Sequence, residues 1–328
     1  NNSIVFESKP ERDFLDMVFE IMQAEGEPGF VNLEEAKRRR PNAKGLNPCA
    51  EILLDSRGVC NLTTVNVMQF VKDGQLEFTK LMRAQSLSTR AGLRMTLLDL
   101  EIDSWDKIHK RDRLIGTSLT GWQDAMGALG YDKEQELQLL NMLESQVREE
   151  SEKYAYALRI PLPLLDTTVK PEGTLSQVAG GISSGLHVSH APYYIRRIRI
   201  NSNDPLAKVA MSLNWQVDPE VGSDWSNANT YVISFPVKST STKFKKDQDA
   251  RSQFDTYFEF QEHYTAHNSS NTISLRPDEW EYAAERVYTD WDGFLGVSFL
   301  ADDNGSYVLS PYEEITEEQY EELKSKMK

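Results

Sequence analysis

Short apolar segments alternate with longer amphipathic segments along most of this 328-residue chain. Residues 113–119 and 230–237 are short and largely apolar, which predicts buried strands. Residues 133–158 carry apolar side chains at helical spacing with charged ones between them, which predicts a long amphipathic helix. Because strands that alternate with helices pair mainly in parallel, the pattern predicts an α/β architecture, in one large domain or two smaller ones.

The same periodicities place the remaining elements. Strands are predicted at 2–6, 166–169, 193–200, 271–275 and 296–300, and helices at 78–100, 252–267 and 277–288, with further helices starting near Pro10, Asn32, Pro205 and Thr316. The last helix has the capping-box spacing of Thr316 and Gln319. Arg38, Arg39 and Arg40 end a short helix, where we expect them to form a solvated basic face.

Both cysteines, Cys49 and Cys60, lie in one short segment. Asn47, Cys49 and Glu51 occupy alternate positions around a proline, so an extended backbone would point all three side chains to one face. A thiol can act as nucleophile, redox partner, metal ligand or hydrogen-atom shuttle, a carboxylate can move a proton, and an amide can hold a hydroxyl. These residue types predict a catalytic loop. The alternative is that Cys49 is a small buried side chain.

Two other chemistries fit these residues less well. No histidine lies near Cys49 to activate it as a hydrolase nucleophile, and two cysteines are too few for a zinc site built mainly from thiolates. His263 and His267 have a spacing that can bind zinc, but Tyr264 stands where a metalloprotease has its glutamate. We therefore predict no metal site.

A second candidate site follows the strand predicted at 166–169. The segment 170–176 combines a flexible glycine, two hydroxyl groups and a predicted helix start, which together can hold an anion. The candidate binding residues are Pro171, Glu172, Gly173, Thr174, Leu175 and Ser176. The segment lacks the lysine of a Walker A loop and the GxGxxG spacing. By itself it is more typical of a tight turn followed by a helix cap.

Composition narrows the class of protein. A net charge of −15 argues against non-specific binding of nucleic acid, which needs a basic surface. No segment approaches the roughly 18 apolar residues of a membrane span, and the sequence shows no secretory signal. The few cysteines are expected to stay reduced, as in the cytoplasm. The chain opens on a predicted strand without a methionine, so we expect it to be a fragment, a processed product or one half of a split protein.

The segment Asn47-Pro48-Cys49-Ala50-Glu51, with Cys60 downstream, resembles the finger loop of ribonucleotide reductases. The segment 170–176 is similar to the substrate-phosphate loop of the same family. Similar segments continue at 183–187, 190–197, 231–236, 267–273 and 310–316, so the resemblance covers nearly the whole chain. It is strongest to the adenosylcobalamin-dependent class II enzymes, because neither the late tyrosine pair of the oxygen-dependent class nor a glycyl-radical motif is present.

The resemblance implies a single domain, 1–328, that forms the second half of a ten-stranded α/β barrel. A finger loop at about 45–62 would pass through the centre of that barrel, and a phosphate loop would occupy about 170–176. The first half-barrel and the C-terminal cysteine pair of the family have no counterpart in this sequence. We therefore expect the chain to need a separate N-terminal half-barrel chain.

The resemblance also implies a reaction, the reduction of ribonucleotides to 2′-deoxyribonucleotides for DNA synthesis, with adenosylcobalamin as cofactor. Cys49 would carry a thiyl radical that takes the ribose 3′ hydrogen, Glu51 would remove the 3′-hydroxyl proton, and Asn47 would bind the sugar hydroxyls. Cys60 would form half of a reducing dithiol, restored by an external thiol reductant such as thioredoxin. The competing hypothesis is a catalytically silent, nucleotide-binding fragment of a split reductase.

Overall fold

The computed structural model describes residues 2–302 and 308–327. Within these ranges the helices are α1 (Arg12–Glu25), α2 (Leu33–Arg39), α3 (Phe78–Met95), α4 (Asp103–Asp112), α5 (Trp122–Leu129), α6 (Lys133–Leu158), α7 (Leu175–Val178), α8 (Pro205–Ser212), α9 (Ala250–His263), α10 (Trp280–Thr289) and α11 (Glu317–Lys326). The strands are β1 (Ser3–Phe6), β2 (Gly29–Asn32), β3 (Gly45–Leu46), β4 (Leu53–Leu54), β5 (Asn61–Asn66), β6 (Val71–Lys72), β7 (Gln75–Leu76), β8 (Ile115–Thr120), β9 (Tyr193–Asn201), β10 (Gln216–Pro219), β11 (Thr230–Lys238), β12 (Thr272–Leu275), β13 (Ser298–Ala301) and β14 (Tyr312–Glu314). Among the helices described, not one carries an apolar stretch long enough to span a lipid bilayer.

Three parallel strand pairs form the frame of the fold: β1 with β2, β5 with β8, and β12 with β13. Parallel bridges join Thr117 of β8 to Thr167, and Val169 to Ser269, so the segment 167–169 lies between β8 and the chain that leads into β12. The predicted α/β fold is therefore confirmed. Within the described residues these strands do not form a closed barrel.

A four-stranded sheet in the order β10-β11-β9-β14 is antiparallel throughout. The prediction of mainly parallel strands is wrong for this region, because sequence periodicity indicates a strand but not the direction of its neighbour. Its central pair, β9 with β11, is nine residue pairs long. Arg197 of β9 forms an ion pair with Glu313 of β14 within the sheet, and Arg199 forms one with Glu220, just after β10, at 3.2 Å.

Helix α1 presents one apolar face to the core, as its spacing predicts. Leu15, Val18, Phe19 and Met22 are buried, and the Phe19 ring lies 5.1 Å from that of Phe299 in β13. Helix α6 spans the predicted residues, and it packs against α3. Helix α1 also packs against β13, and α3 packs against β5 and β8.

The basic residues at the end of α2 are not a solvated face. Arg40 is buried, where it forms an ion pair with Asp112 and donates from Nη1 to the carbonyl of Leu53 (2.6 Å). Arg39 donates to the carbonyl of His267 (3.0 Å). Only the first of the three arginines is exposed. The expectation of a solvated face is thus wrong for Arg39 and Arg40, because both bind carbonyls around the base of the cysteine loop.

Candidate active site

Strands β3 and β4 form a short antiparallel hairpin whose connecting loop holds the first cysteine. The N–H of Ala50 donates to the carbonyl of Asn47 (2.8 Å), and the N–H of Ile52 donates to Asn47 Oδ1 (2.9 Å). Ala50 has a φ of 61°, in the left-handed region. The predicted extended backbone is therefore wrong. The loop turns because the side chain and carbonyl of Asn47 both accept hydrogen bonds from within it.

The turn nevertheless places the predicted catalytic groups close together. Cys49 is exposed, Cys60 is partly buried immediately before β5, and Glu51 is buried with 2% of its surface exposed. Burial raises the pKa of Cys60 to about 11 and raises the pKa of Cys49, and the Glu51 carboxylate raises both further. Both thiols are therefore protonated at neutral pH, the form that can donate a hydrogen atom rather than the form that attacks as a nucleophile.

Glu51 has the environment of a proton acceptor. Burial raises the pKa of its carboxylate, while a hydrogen bond from the Asn47 side chain and the charge of Lys170 partly oppose that rise. Its Oε2 has no hydrogen-bond partner in the part of the chain that the structure describes. A buried carboxylate with a free oxygen and a raised pKa can take a proton from a group placed against it.

The start of the second candidate site is electrostatically linked to this hairpin. Lys170 Nζ donates to Thr64 Oγ1 (3.2 Å) and pairs with Glu172 Oε1 at 3.4 Å. The charge of Lys170 lowers the pKa of both Cys49 and Glu51. Sequence reasoning placed Lys170 in the motif but gave it no role. Its contacts are with Thr64 in β5 and Glu172 in its own loop, and only its charge acts on the hairpin.

One cavity joins the two candidate sites. It has a volume of about 330 Å³, and its wall includes Cys49, Ala50 and Pro171. Other parts of the wall come from 26–31, which runs into β2, and from 296–300, which runs into β13. A small molecule in this cavity would contact both Cys49 and Pro171 of the second site.

The segment 170–176 has the shape of a turn followed by α7. Gly173 and Thr174 are exposed, and their N–H groups have no hydrogen-bond acceptor among the described residues. Leu175 is also exposed, whereas Ser176 is buried and its hydroxyl donates to the carbonyl of Gly173 (3.5 Å). The loop therefore offers two N–H groups and the Thr174 hydroxyl to an anion. The buried Ser176 stabilises the loop through its hydrogen bond to Gly173.

The two candidate histidines, His263 and His267, make different contacts. His267 is buried, accepts the N–H of Leu53 at Nδ1 (3.2 Å), and places Nε2 at 3.1 Å from the carbonyl of Ile115. Burial lowers the pKa of His267 to about 3, so the ring is neutral. His263 contacts Asn141 instead. In residues 2–302 and 308–327 no group of three or more His, Cys, Asp or Glu side chains is arranged to hold a metal ion.

Two residues that hold the hairpin, Thr168 and Asn268, were missed in the sequence. The Thr168 hydroxyl lies 3.0 Å from the carbonyl of Glu51, and the N–H of Asn268 donates to the same carbonyl (3.1 Å). Helix α9 ends at His263, four residues earlier than predicted, and the following chain leads to these contacts. The only available signal was a polar run, 267–271, directly before a buried strand.

We expect alkylation of both cysteines by iodoacetamide to be slow at pH 7, because only thiolates react. With the pKa of Cys60 near 11, each pH unit between 7 and 9 should raise its rate about tenfold, and the rate of Cys49, whose pKa is above its ordinary value, should also rise with pH. Mass spectrometry of quenched samples would give the two rates separately, with exposed Cys49 reacting faster. Alkylation rates that no longer increase with pH above pH 7 would contradict the prediction that both thiols are neutral there.

The arrangement of strands, helices and hairpin matches that of a known class of enzyme. The chain superposes on a solved B-12 dependent, class II ribonucleotide reductase with a TM-score of 0.85, covering 100% of this chain and 50% of the other at 24% sequence identity. This likeness shows that the chain has the α/β fold found in those enzymes.

The sequence comparisons identify the family. Residues 1–156 match the family model for the ribonucleotide reductase barrel domain. The adenosylcobalamin-dependent ribonucleoside-triphosphate reductase of Lactobacillus acidophilus is 27% identical, with 98% of this chain and 47% of the relative covered. The enzyme of the same name from Lacticaseibacillus paracasei is 30% identical over 73% of this chain and 35% of the relative. Residues 1–156 therefore match the ribonucleotide reductase family that the motifs predict, and the whole chain spans about half the length of the curated relatives it matches.

Proposed function

We propose that this chain is the C-terminal half of a reductase barrel and that, with a first half-barrel, it reduces ribonucleotides to 2′-deoxyribonucleotides for DNA synthesis. The observation that carries the proposal is the single cavity shared by the exposed Cys49 and by Pro171 at the start of the phosphate loop. A ribose in that cavity would meet the thiol while its phosphates reach Gly173 and Thr174. The substrate-binding segment is thus Pro171–Ser176.

The half-barrel proposal rests on the parallel strands. The pair β5–β8 continues through the bridges at 167–169 to the chain that leads into the pair β12–β13, and β5 has β8 as its only strand partner in the described part of the chain. A first half-barrel on a separate chain would complete the ten strands around the hairpin. In this proposal 1–328 is one domain and 45–62 is the finger loop.

The site residues take the following roles in the proposed reaction. A thiyl radical on Cys49 takes the 3′ hydrogen atom of the ribose, and Glu51, through its unpartnered Oε2, accepts the 3′-hydroxyl proton. The 2′-hydroxyl then leaves as water. Asn47 orients the sugar hydroxyls through its amide. Cys60 and a cysteine of the partner half supply two electrons and two protons, one proton to the departing water and one hydrogen to carbon 2′, and end as a disulfide. Glu51 returns its proton to the 3′ oxygen, and Cys49 returns its hydrogen to the 3′ carbon.

The residues around Cys49 suit adenosylcobalamin. The cavity wall at 26–31 is mostly main chain and apolar side chains, with Glu27 as its only charged residue, so a neutral adenosyl group would meet little charge there. This wall, together with Pro48 and Ala50, would hold that end of the cofactor. When bound, adenosylcobalamin supplies a one-electron oxidant for a neighbouring thiol through homolysis of its cobalt–carbon bond. The chain contributes an accessible, protonated thiol at the hairpin tip.

The reaction requires a reducing compartment, because the Cys60 disulfide must be reopened by an external thiol reductant such as thioredoxin. We therefore place the enzyme in the cytoplasm. The names of the relatives favour ribonucleoside triphosphates as substrates, and diphosphates are the alternative. The competing proposal remains a silent nucleotide-binding fragment, which the exposed N–H groups of Gly173 and Thr174 alone would support.

The test is reconstitution. The chain is mixed with an N-terminal half-barrel chain of a related reductase, adenosylcobalamin, a dithiol, and either a ribonucleoside triphosphate or a diphosphate. We expect 2′-deoxyribonucleotide only when both chains are present, measured by chromatography of dephosphorylated products. If the two chains form a complex that binds the nucleotide but yields no 2′-deoxyribonucleotide, the silent-fragment proposal is favoured and the reductase proposal is overturned.

A further inference from the structure

Asn268 makes a complete set of side-chain hydrogen bonds at the back of the hairpin. It is fully buried, and its Nδ2 donates to the carbonyls of Ala50 (2.7 Å) and Gly296 (2.9 Å). Its Oδ1 accepts from Tyr257 Oη (2.8 Å). Tyr257 in turn accepts the N–H groups of Leu295 and Gly296, so its own hydroxyl hydrogen is directed to Asn268. The orientation of the amide is therefore determined by its neighbours, since two carbonyls require an NH₂ group opposite them.

The main chain of Asn268 holds the next peptide group of the same loop. Its N–H donates to the carbonyl of Glu51 (3.1 Å), and its own carbonyl lies 2.7 Å from the Thr168 hydroxyl. One residue thus binds the carbonyls on both sides of Glu51. Ala50, between Cys49 and Glu51, has the left-handed backbone that a residue with a Cβ adopts only when its surroundings impose it.

We propose that Asn268 is a positioning residue that fixes the hairpin tip, and thereby the directions of the Cys49 thiol and the Glu51 carboxylate. It does not itself face the cavity. Its effect on turnover rests on the proposed function, whereas its effect on the Cys49 thiol does not. Without the amide, the Ala50 peptide group loses its only side-chain donor among the described residues, and the tip can relax toward solvent.

The first measurement is the alkylation rate of Cys49 in the isolated chain, which needs no partner and no activity. Asn268→Ala should raise that rate at pH 8 by about three- to tenfold, because a tip more open to water gives the thiol a more ordinary pKa. The matched control is Gln253→Ala. Gln253 also bridges main chain, donating to the carbonyl of Ser274 (2.9 Å) and accepting its N–H (2.9 Å), but it lies away from the hairpin. This control should leave the Cys49 rate unchanged.

The second measurement uses the reconstituted enzyme. Asn268→Ala should lower kcat about 100-fold and leave KM within about twofold, because a misplaced thiol impairs the chemical step and not nucleotide binding. Tyr257→Phe keeps the amide but removes the group that orients it, so it should shift alkylation in the same direction by a smaller factor.

The outcomes separate this inference from the proposed function. The alkylation rate of Cys49 could rise in Asn268→Ala while the unsubstituted complex shows no reductase activity. That result would support the positioning role of Asn268 and overturn only the proposed reductase function. An unchanged rate and pH profile in a folded Asn268→Ala would overturn the positioning role. If that variant does not fold, an unchanged profile in Tyr257→Phe overturns it instead.

Discussion

Replacing Cys49 by serine should abolish 2′-deoxyribonucleotide formation in the reconstituted enzyme. A serine hydroxyl holds its hydrogen atom much more strongly than a thiol does, so it cannot become the radical that attacks the ribose. Because the phosphate loop and the cavity wall are unchanged, the Kd for the ribonucleotide should stay within about twofold of that of the unsubstituted chain. Product analysis and equilibrium binding would measure the two quantities on the same samples.

Cys60→Ser is the matched control, since it removes the other thiol and leaves Cys49 in place. It should permit at most one turnover per enzyme, because the reducing pair can no longer close as a disulfide. Multiple turnovers by Cys49→Ser would contradict the radical role of Cys49. Sustained turnover by Cys60→Ser with a dithiol reductant would contradict the reducing role of Cys60.

Asp112→Ala should lower the free energy of unfolding by about 3–5 kcal/mol, the range observed when one partner of a buried ion pair is removed. The side chains of Arg40 and Asp112 are each only 2% exposed. Without the carboxylate, the Arg40 guanidinium keeps hydrogen bonds to two neutral partners among the described residues, the carbonyl of Leu53 and the side chain of Asn42. Urea unfolding, followed by circular dichroism, would measure the loss.

An exposed ion pair provides the comparison. Lys153 and Glu149 lie 3.3 Å apart on α6, with 67% and 64% of their side chains exposed. Glu149→Ala should therefore change the free energy of unfolding by less than about 0.5 kcal/mol. The combined change Arg40→Met and Asp112→Leu should recover most of the stability lost in Asp112→Ala. An Asp112→Ala chain as stable as the Glu149→Ala chain would show that the buried pair does not stabilise the base of the hairpin.

Local features of the fold were predictable because their signals lie in neighbouring residues. Helix α6 occupies the predicted residues, β8 is a buried strand as predicted, and the capping box at the start of α11 forms with Gln319 and Thr316 bonding reciprocally. The two loops of the candidate site were predicted from residue types, their order and a family resemblance. One predicted residue of each, Cys49 and Pro171, lines the same cavity.

The features that were not predicted depend mostly on contacts between residues that are distant in sequence. Neither the antiparallel direction of β9 nor the burial of Arg40 has a local signature, because each depends on residues tens of positions away. The prediction of an extended backbone at 47–51 was wrong for a local reason. Asn47 accepts the N–H of Ile52, and this hydrogen bond bends the loop. Asn268 was missed because a polar residue before a strand has no distinguishing mark until its acceptor, Ala50, is known.

The anchors of the hairpin also determine when it can form during translation. The hairpin has two residue pairs of its own, whereas the carbonyl of Ala50 is bound by a side chain 218 residues further along the chain. A nascent chain therefore lacks the Asn268 anchor of this turn until 218 residues beyond Ala50 have been synthesised. The sulfur acquires its working geometry only after the strands that surround it have assembled.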